Sequence, residues 1–142
     1  MENSLNKLLA DLVVEYHKLQ HFHWYVKGSD FFTAHAKLEE YYDEINEAVD
    51  EVAEAMLMSG FKPVSTMKEF LSLTGIQEPS AGYVKSGDVY NAVLADFKYL
   101  LDSVKAVKTE AEKAGNDLVA NKMDGYIDGF SKSIWMISQS MM

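Results

Sequence analysis

Residues 21–40 read HFHWYVKGSDFFTAHAKLEE, and this stretch decides how the chain folds. Gly28, Ser29 and Asp30 form a turn signal between two helical periodicities. Upstream, Leu5, Leu8, Leu9, Leu12, Val13, Tyr16, Leu19 and His23 recur at helical spacing, which predicts a first helix over residues 3–27. Downstream, Leu38, Tyr42, Ile45, Val49, Val52, Met56 and Leu57 predict a second helix over residues 31–59, with Gly60 as its stop. Three of the four histidines lie in this one stretch, close to many carboxylates. Either they are core and surface residues of an ordinary helical bundle, or they are half of a metal site.

Residues 61–86 have a different character. They hold both prolines and several turn signals around one compact helical stretch, STMKEFLSL, where Ser65 or Thr66 can cap. A third long helix is expected over residues 87–114, ended by Gly115, and a fourth from residue 116 almost to residue 142. No segment reads as a strand. The expected fold is all-α: four long helices, with a long crossover carrying a short helix between the second and third. That connectivity is the ferritin-like kind of antiparallel bundle rather than an up-down-up-down one. No composition break or linker divides the chain, so residues 1–142 are expected to form a single domain.

Composition narrows the function classes. The 142 residues, 48% hydrophobic, are enough for a real core. Apolar runs are too short to span a bilayer, and no basic start followed by a hydrophobic stretch marks a signal peptide. With no cysteine there is no disulfide framework and no thiolate chemistry, and a reducing cytoplasm fits. Twenty-two acidic residues against thirteen basic ones give a formal charge of −9, which favours cations as partners and repels polyanions. The opening MENSLNKLLA carries one lysine and one glutamate, not a basic arm for DNA.

His23 and His35 are equidistant from Ser29, so an antiparallel hairpin sets them at the same height. Glu39 lies one turn beyond His35 on the same face. In AVDEVAEAM, Asp50 and Glu54 also share a face, interleaved with Val49, Val52 and Ala53 near the edge of the apolar stripe. Carboxylates four apart repel by a few tenths of a kcal/mol unless a cation sits between them. His35 and Asp50 are 15 residues apart on one helix, about 22 Å along its axis. Metal–ligand bonds of roughly 2 Å cannot bridge that. The two pairs meet only if a second copy of the helix packs antiparallel, crossing near Glu44 and Ile45, which creates two identical sites per twofold dimer. No histidine follows a glutamate by three positions, so the intrachain di-iron motif is absent, as is His-Glu-x-x-His. The ligand set suits iron, manganese or zinc.

HFHWYVKGSDFFTAH, followed by DEVAEAMLMSGFKPVSTMKEFL and, at the far end, SIWMISQSMM, closely resembles the Dps family, the mini-ferritins, including Dps-like peroxide-resistance proteins. The likeness covers essentially the whole chain. The resemblance implies a dodecameric hollow shell, a homo-oligomer with ferroxidase centres at its twofold interfaces. It implies His23 and His35 as iron ligands from one subunit, Asp50 and Glu54 from its partner, Glu54 as the bridging carboxylate, and Trp24 beside the site. Many members carry aspartate where this chain has Glu39, whose longer arm either binds directly or only hydrogen-bonds. His17 and His21 form another i, i+4 pair able to bind metal, but they read as packing or surface residues.

Glu112, Asp117 and Asn121 gather where the third helix meets the fourth. They are either capping and dipole residues, with Asn116 or Asp117 at the helix start, or, by the resemblance, the lining of acidic threefold pores. Asn121 falls where some relatives have aspartate. The function expected is an iron-storing ferroxidase that oxidises Fe(II) with hydrogen peroxide, or oxygen, and keeps the ferric mineral inside the shell. DNA compaction, a role of some family members, and a non-catalytic oligomeric bundle are the alternatives.

Overall fold

A computed structural model describes residues 1–142. Helix α1 spans Glu2–Tyr25, α2 Phe31–Met58, α3 Met67–Leu73, α4 Ser86–Lys113 and α5 Asp117–Ser140; two-residue strands β1 (Val26–Lys27) and β2 (Val84–Lys85) complete the order α1 β1 α2 α3 β2 α4 α5. The helices form where apolar residues repeat every three or four positions. In α2 the buried row is Ala34, Leu38, Tyr41, Ile45, Ala48, Val52 and Ala55; in α4 it is Val89, Val93, Phe97, Leu100, Val104, Val107 and Ala111. These rows meet the leucines of α1 and the sparser row of α5 in one core. Helices α1 and α2 pair as one hairpin, and α4 and α5 as the other. The all-α bundle, with a short helix between its second and third long ones, is as expected.

Two expectations fail at the turn. The first helix ends at Tyr25, not at residue 27, and residues 26 and 27 are a strand. Val26 adopts φ −64°, ψ 139°, and its N–H closes the helix on the Phe22 carbonyl. Val26 and Lys27 then pair in parallel with Val84 and Lys85. A two-residue ladder gives no periodic signal, so the pattern of α1 ran through it. Gly28 follows with φ +142°, a conformation that L side chains rarely adopt.

The crossover runs along α1 in the same direction and is tied to it in stages. Glu2 accepts from the Lys62 N–H at 2.7 Å, while Asn6 donates to the Lys62 carbonyl at 3.1 Å and accepts from Val64 N–H at 2.9 Å. Helix α3 starts with a capping box: the Thr66 hydroxyl takes the Glu69 N–H, and the Glu69 side chain returns to the Thr66 N–H. Further on, Asp11 is completely buried yet fully engaged. It accepts from the Thr74 hydroxyl, the Gly75 N–H and the Tyr99 hydroxyl, each at 2.7 Å. A Cβ at Gly75 would come within 2.5 Å of that hydroxyl, so only glycine fits the approach. The β1–β2 pair makes the last tie, beside the turn that carries His23 and His35.

Candidate metal centre

The turn brings the end of α1 against the start of α2, and the two histidines lock together there. His23 Nδ1 lies 2.7 Å from the His35 carbonyl oxygen, and His35 Nδ1 lies 2.7 Å from the His23 carbonyl oxygen. A carbonyl only accepts, so both Nδ1 atoms carry protons. In the neutral tautomer that these bonds select, the lone pair of each ring lies on Nε2, where a metal can take it. The pairing also settles backbone accounts. His23 sits in the last turn of α1, where carbonyls lack a helical donor, and the His35 ring supplies one.

The rings are stacked, with centroids 3.7 Å apart and planes 14° off parallel. Phe31 stacks on the outer face of His35 at 4.9 Å, and Tyr42 stands edge-on to His23 at 5.3 Å. Two flanking rings and the mutual stack thus fix the orientation of the two imidazoles before any ion arrives. His23 is buried, 6% exposed. Glu39 reaches toward this face, its Oε1 3.7 Å from His23 Nε2, and remains half exposed. Trp24 is also exposed, and its ring stands edge-on to His17 at 5.9 Å rather than against the stacked pair.

Asp50 and Glu54 lie farther along α2, both exposed. They stand clear of the apolar row rather than close to its edge. Their proximity has an electrostatic signature: a hydrogen bond to Asp50 and its like charge hold the Glu54 carboxyl above its ordinary range. A proton or a cation between them relieves that repulsion. Within one chain, no three metal-ligating side chains gather at a point. The fold therefore presents two pairs of donors on one helical hairpin, each short of a coordination sphere.

At the other junction, Asn116 is the N-cap of α5: its side chain accepts from Val119 N–H at 3.1 Å and donates to Ser59 at 3.0 Å. Asp117 occupies the first turn, where its charge suits the helix dipole. Glu112 is exposed and within 3.6 Å of Lys108, and Asn121 is exposed. The capping role thus belongs to Asn116, and the three side chains named for a pore face solvent in the isolated chain.

Sequence reading missed Phe31 and Tyr42 as supports of the imidazoles. The signal existed, since Phe31, His35 and Tyr42 fall at i, i+4 and i+11, on one side of α2. It also missed the reciprocal ring-to-carbonyl bonds, which depend on the depth at which α1 ends.

The likeness to known proteins agrees with this fold. Residues 2–141 match the Ferritin-like domain family. The DNA protection during starvation protein 2 of Bacillus anthracis is 40% identical over 133 residues, covering 94% of this chain and 90% of that protein. A DNA protection during starvation protein of Helicobacter pylori is 35% identical, covering 94% and 92%. Among solved structures, Dps from Staphylococcus aureus superposes with a TM-score of 0.94 at 33% identity, over 99% of this chain and 94% of that one. The Vibrio cholerae Dps protein, described as a member of a broad superfamily of ferritin-like diiron-carboxylate proteins, gives 0.95 at 28% identity, over 99% and 88%. With the family match running over residues 2–141 and relatives 35–40% identical along 94% of its length, the chain belongs to the Dps family of ferritin-like proteins.

Proposed function

We propose that this protein is a ferroxidase that takes up Fe(II), oxidises it with hydrogen peroxide and retains the Fe(III) product within a hollow dodecamer. The observation that carries the reading is the pre-set histidine pair, whose Nε2 lone pairs are fixed by the reciprocal bonds to carbonyls. In the proposed centre His23 and His35 of one subunit face Asp50 and Glu54 of a second, and Glu39 supplies a further oxygen or a hydrogen bond. Imidazole suits the ferrous ion, whereas carboxylates favour the harder ferric ion, so the mixed set pulls the substrate toward oxidation. Each of two ferrous ions gives one electron; the O–O bond of peroxide breaks, and two protons complete two waters. Consuming peroxide in pairs of electrons avoids releasing hydroxyl radical.

The relatives' names speak of DNA protection. Removing Fe(II) and peroxide together protects DNA without binding it. Lys37, Lys108 and Lys122 are each paired with a carboxylate within 3.3 Å, and the chain as a whole keeps a formal charge of −9, which disfavours a polyanion.

The test is anaerobic loading with Fe(II), then peroxide or oxygen, with ferric absorbance followed in wild type and His23→Ala. Fast oxidation by wild type, slowed in the variant by on the order of 100-fold or more, is the expected result. Equal rates in the two proteins overturn the assignment of this centre.

A further inference from the structure

Between Ile76 and β2 the crossover has no hydrogen bond tying it to α1, unlike the stretches before and after. What faces α1 there is a pocket of about 210 Å³ lined by His17, His21, Glu78, Pro79 and Ala81. His17 and His21 are one turn apart on α1, so their rings project from one face. His17 Nδ1 is bonded to the Gln20 side-chain oxygen at 3.2 Å, which leaves its Nε2 as the free lone pair. His21 Nε2 is buried with no hydrogen-bond partner; the Ser80 backbone approaches the ring without making a bond of normal geometry. A buried polar atom left unpartnered is a cost that some ligand can remove.

The geometry points to a second divalent-cation site, separate from the shared centre, in which His17, His21 and Glu78 bind a borderline ion of the zinc class. Two imidazoles at i, i+4 on a helix form a chelating pair, and a carboxylate from an opposing segment supplies the third ligand, with water in the fourth position. The three side chains line one pocket without yet converging on a point; His17 and Glu78 are exposed, free to change rotamer and close on an ion that the buried His21 nitrogen locates. The pocket has room for the ion and its water. Bound metal would clip residues 78–81 to α1, filling the one gap in the series of ties that hold the crossover. The site shares no side chain with the proposed ferroxidase centre, so its fate in the test is independent of that reading.

The test uses the full assembly, metal-free, with the shared centre blanked by His35→Ala and Glu54→Ala. Zinc chloride titration by calorimetry should then find one remaining site per subunit. Adding His17→Ala, an exposed position whose loss leaves the fold intact, should weaken it by about 100-fold or more, and Glu78→Gln by about tenfold. Zinc should slow amide exchange in residues 76–83 of the blanked protein and not of its His17→Ala derivative. No residual zinc site, a site untouched by His17→Ala or Glu78→Gln, or exchange indifferent to zinc would each overturn the proposal.

Discussion

Replacing Glu15 by glutamine is expected to stabilise the protein and to flatten part of its pH dependence. Glu15 is wholly buried on α1, and neither carboxyl oxygen has a partner if the group is ionised. It lies against Asp96, whose own carboxylate pairs with Lys18 at 2.8 Å. Two ionised carboxylates cannot hydrogen-bond, but one proton between them turns the contact into a bond. Burial first, then the charge of Asp96 and that bond, push the Glu15 carboxyl well above 4.5, against the pull of Lys18.

In the folded chain Glu15 is therefore neutral, while in the unfolded chain it ionises near its ordinary value. Below that value both states hold the proton and the term vanishes. Above it the unfolded state alone releases the proton, so stability falls by about 1.4 kcal/mol per pH unit until the raised folded value is passed. At neutral pH this amounts to at most about 3 kcal/mol per subunit. Glutamine cannot ionise, and its amide still donates to Asp96. Urea denaturation at fixed protein concentration, from pH 5 to pH 8, should give a gain for the variant of about 1–3 kcal/mol at pH 7 that shrinks toward pH 5. Wild-type and variant stability curves that run parallel across this range would refute a neutral, buried Glu15.

The shared centre predicts that His35→Ala and Glu54→Ala homo-oligomers both oxidise Fe(II) slowly, while co-assembled mixtures recover activity wherever two intact halves meet; confirmed co-assembly with no recovery would mean that the halves do not face each other. Asp11→Ala should cost about 3 kcal/mol or more in denaturant titrations, because the Thr74, Gly75 and Tyr99 donors lose their acceptor together; a loss below about 0.5 kcal/mol would show that water replaces it. Metal-free wild type should give no gel shift of duplex DNA at physiological salt, yet protect DNA from Fe(II) with peroxide, and His23→Ala should lose only the protection; tight, salt-sensitive binding would reveal a local basic patch that outweighs the charge of −9.

The parts of this fold legible in the sequence are those written as a period. The spacing of Leu38, Ile45, Val52 and Met56 announces α2, although Tyr42, Val49 and Leu57, counted in the same spacing, are half-buried or exposed while Tyr41, Ala48 and Ala55 are buried; the break at Gly28 announces the hairpin that levels His23 with His35. What a period cannot carry is contact between distant segments. Val26 and Lys27 continue the apolar rhythm of α1, but their partners are 58 residues away in the crossover, so nothing local separates strand from helix. Asp11 and Glu15 look like solvated charges on an amphipathic helix. Both are buried because the crossover covers one and α4 covers the other. The Asp50 and Glu54 pair shows the converse. Its spacing was readable, but its exposure follows from which side of α2 the second hairpin takes.

The two donor pairs differ in how much ordering they still require. His23 and His35 are held by two hydrogen bonds to backbone and by flanking rings, so binding an ion costs them little side-chain entropy. Asp50 and Glu54 are exposed and mutually repelled, so they gain most from a cation and lose most freedom in holding it. In the proposed centre the rigid pair and the repelled pair come from different subunits. An ion that joins them must then tighten the subunit contact by the same factor by which the contact tightens ion binding. A fold that placed both pairs on one chain would show no such coupling. Dissociation of the oligomer on dilution, measured with and without a redox-inert divalent ion, therefore reads the division of the site directly: the ion should lower the dissociation constant in wild type, and His35→Ala should erase the effect.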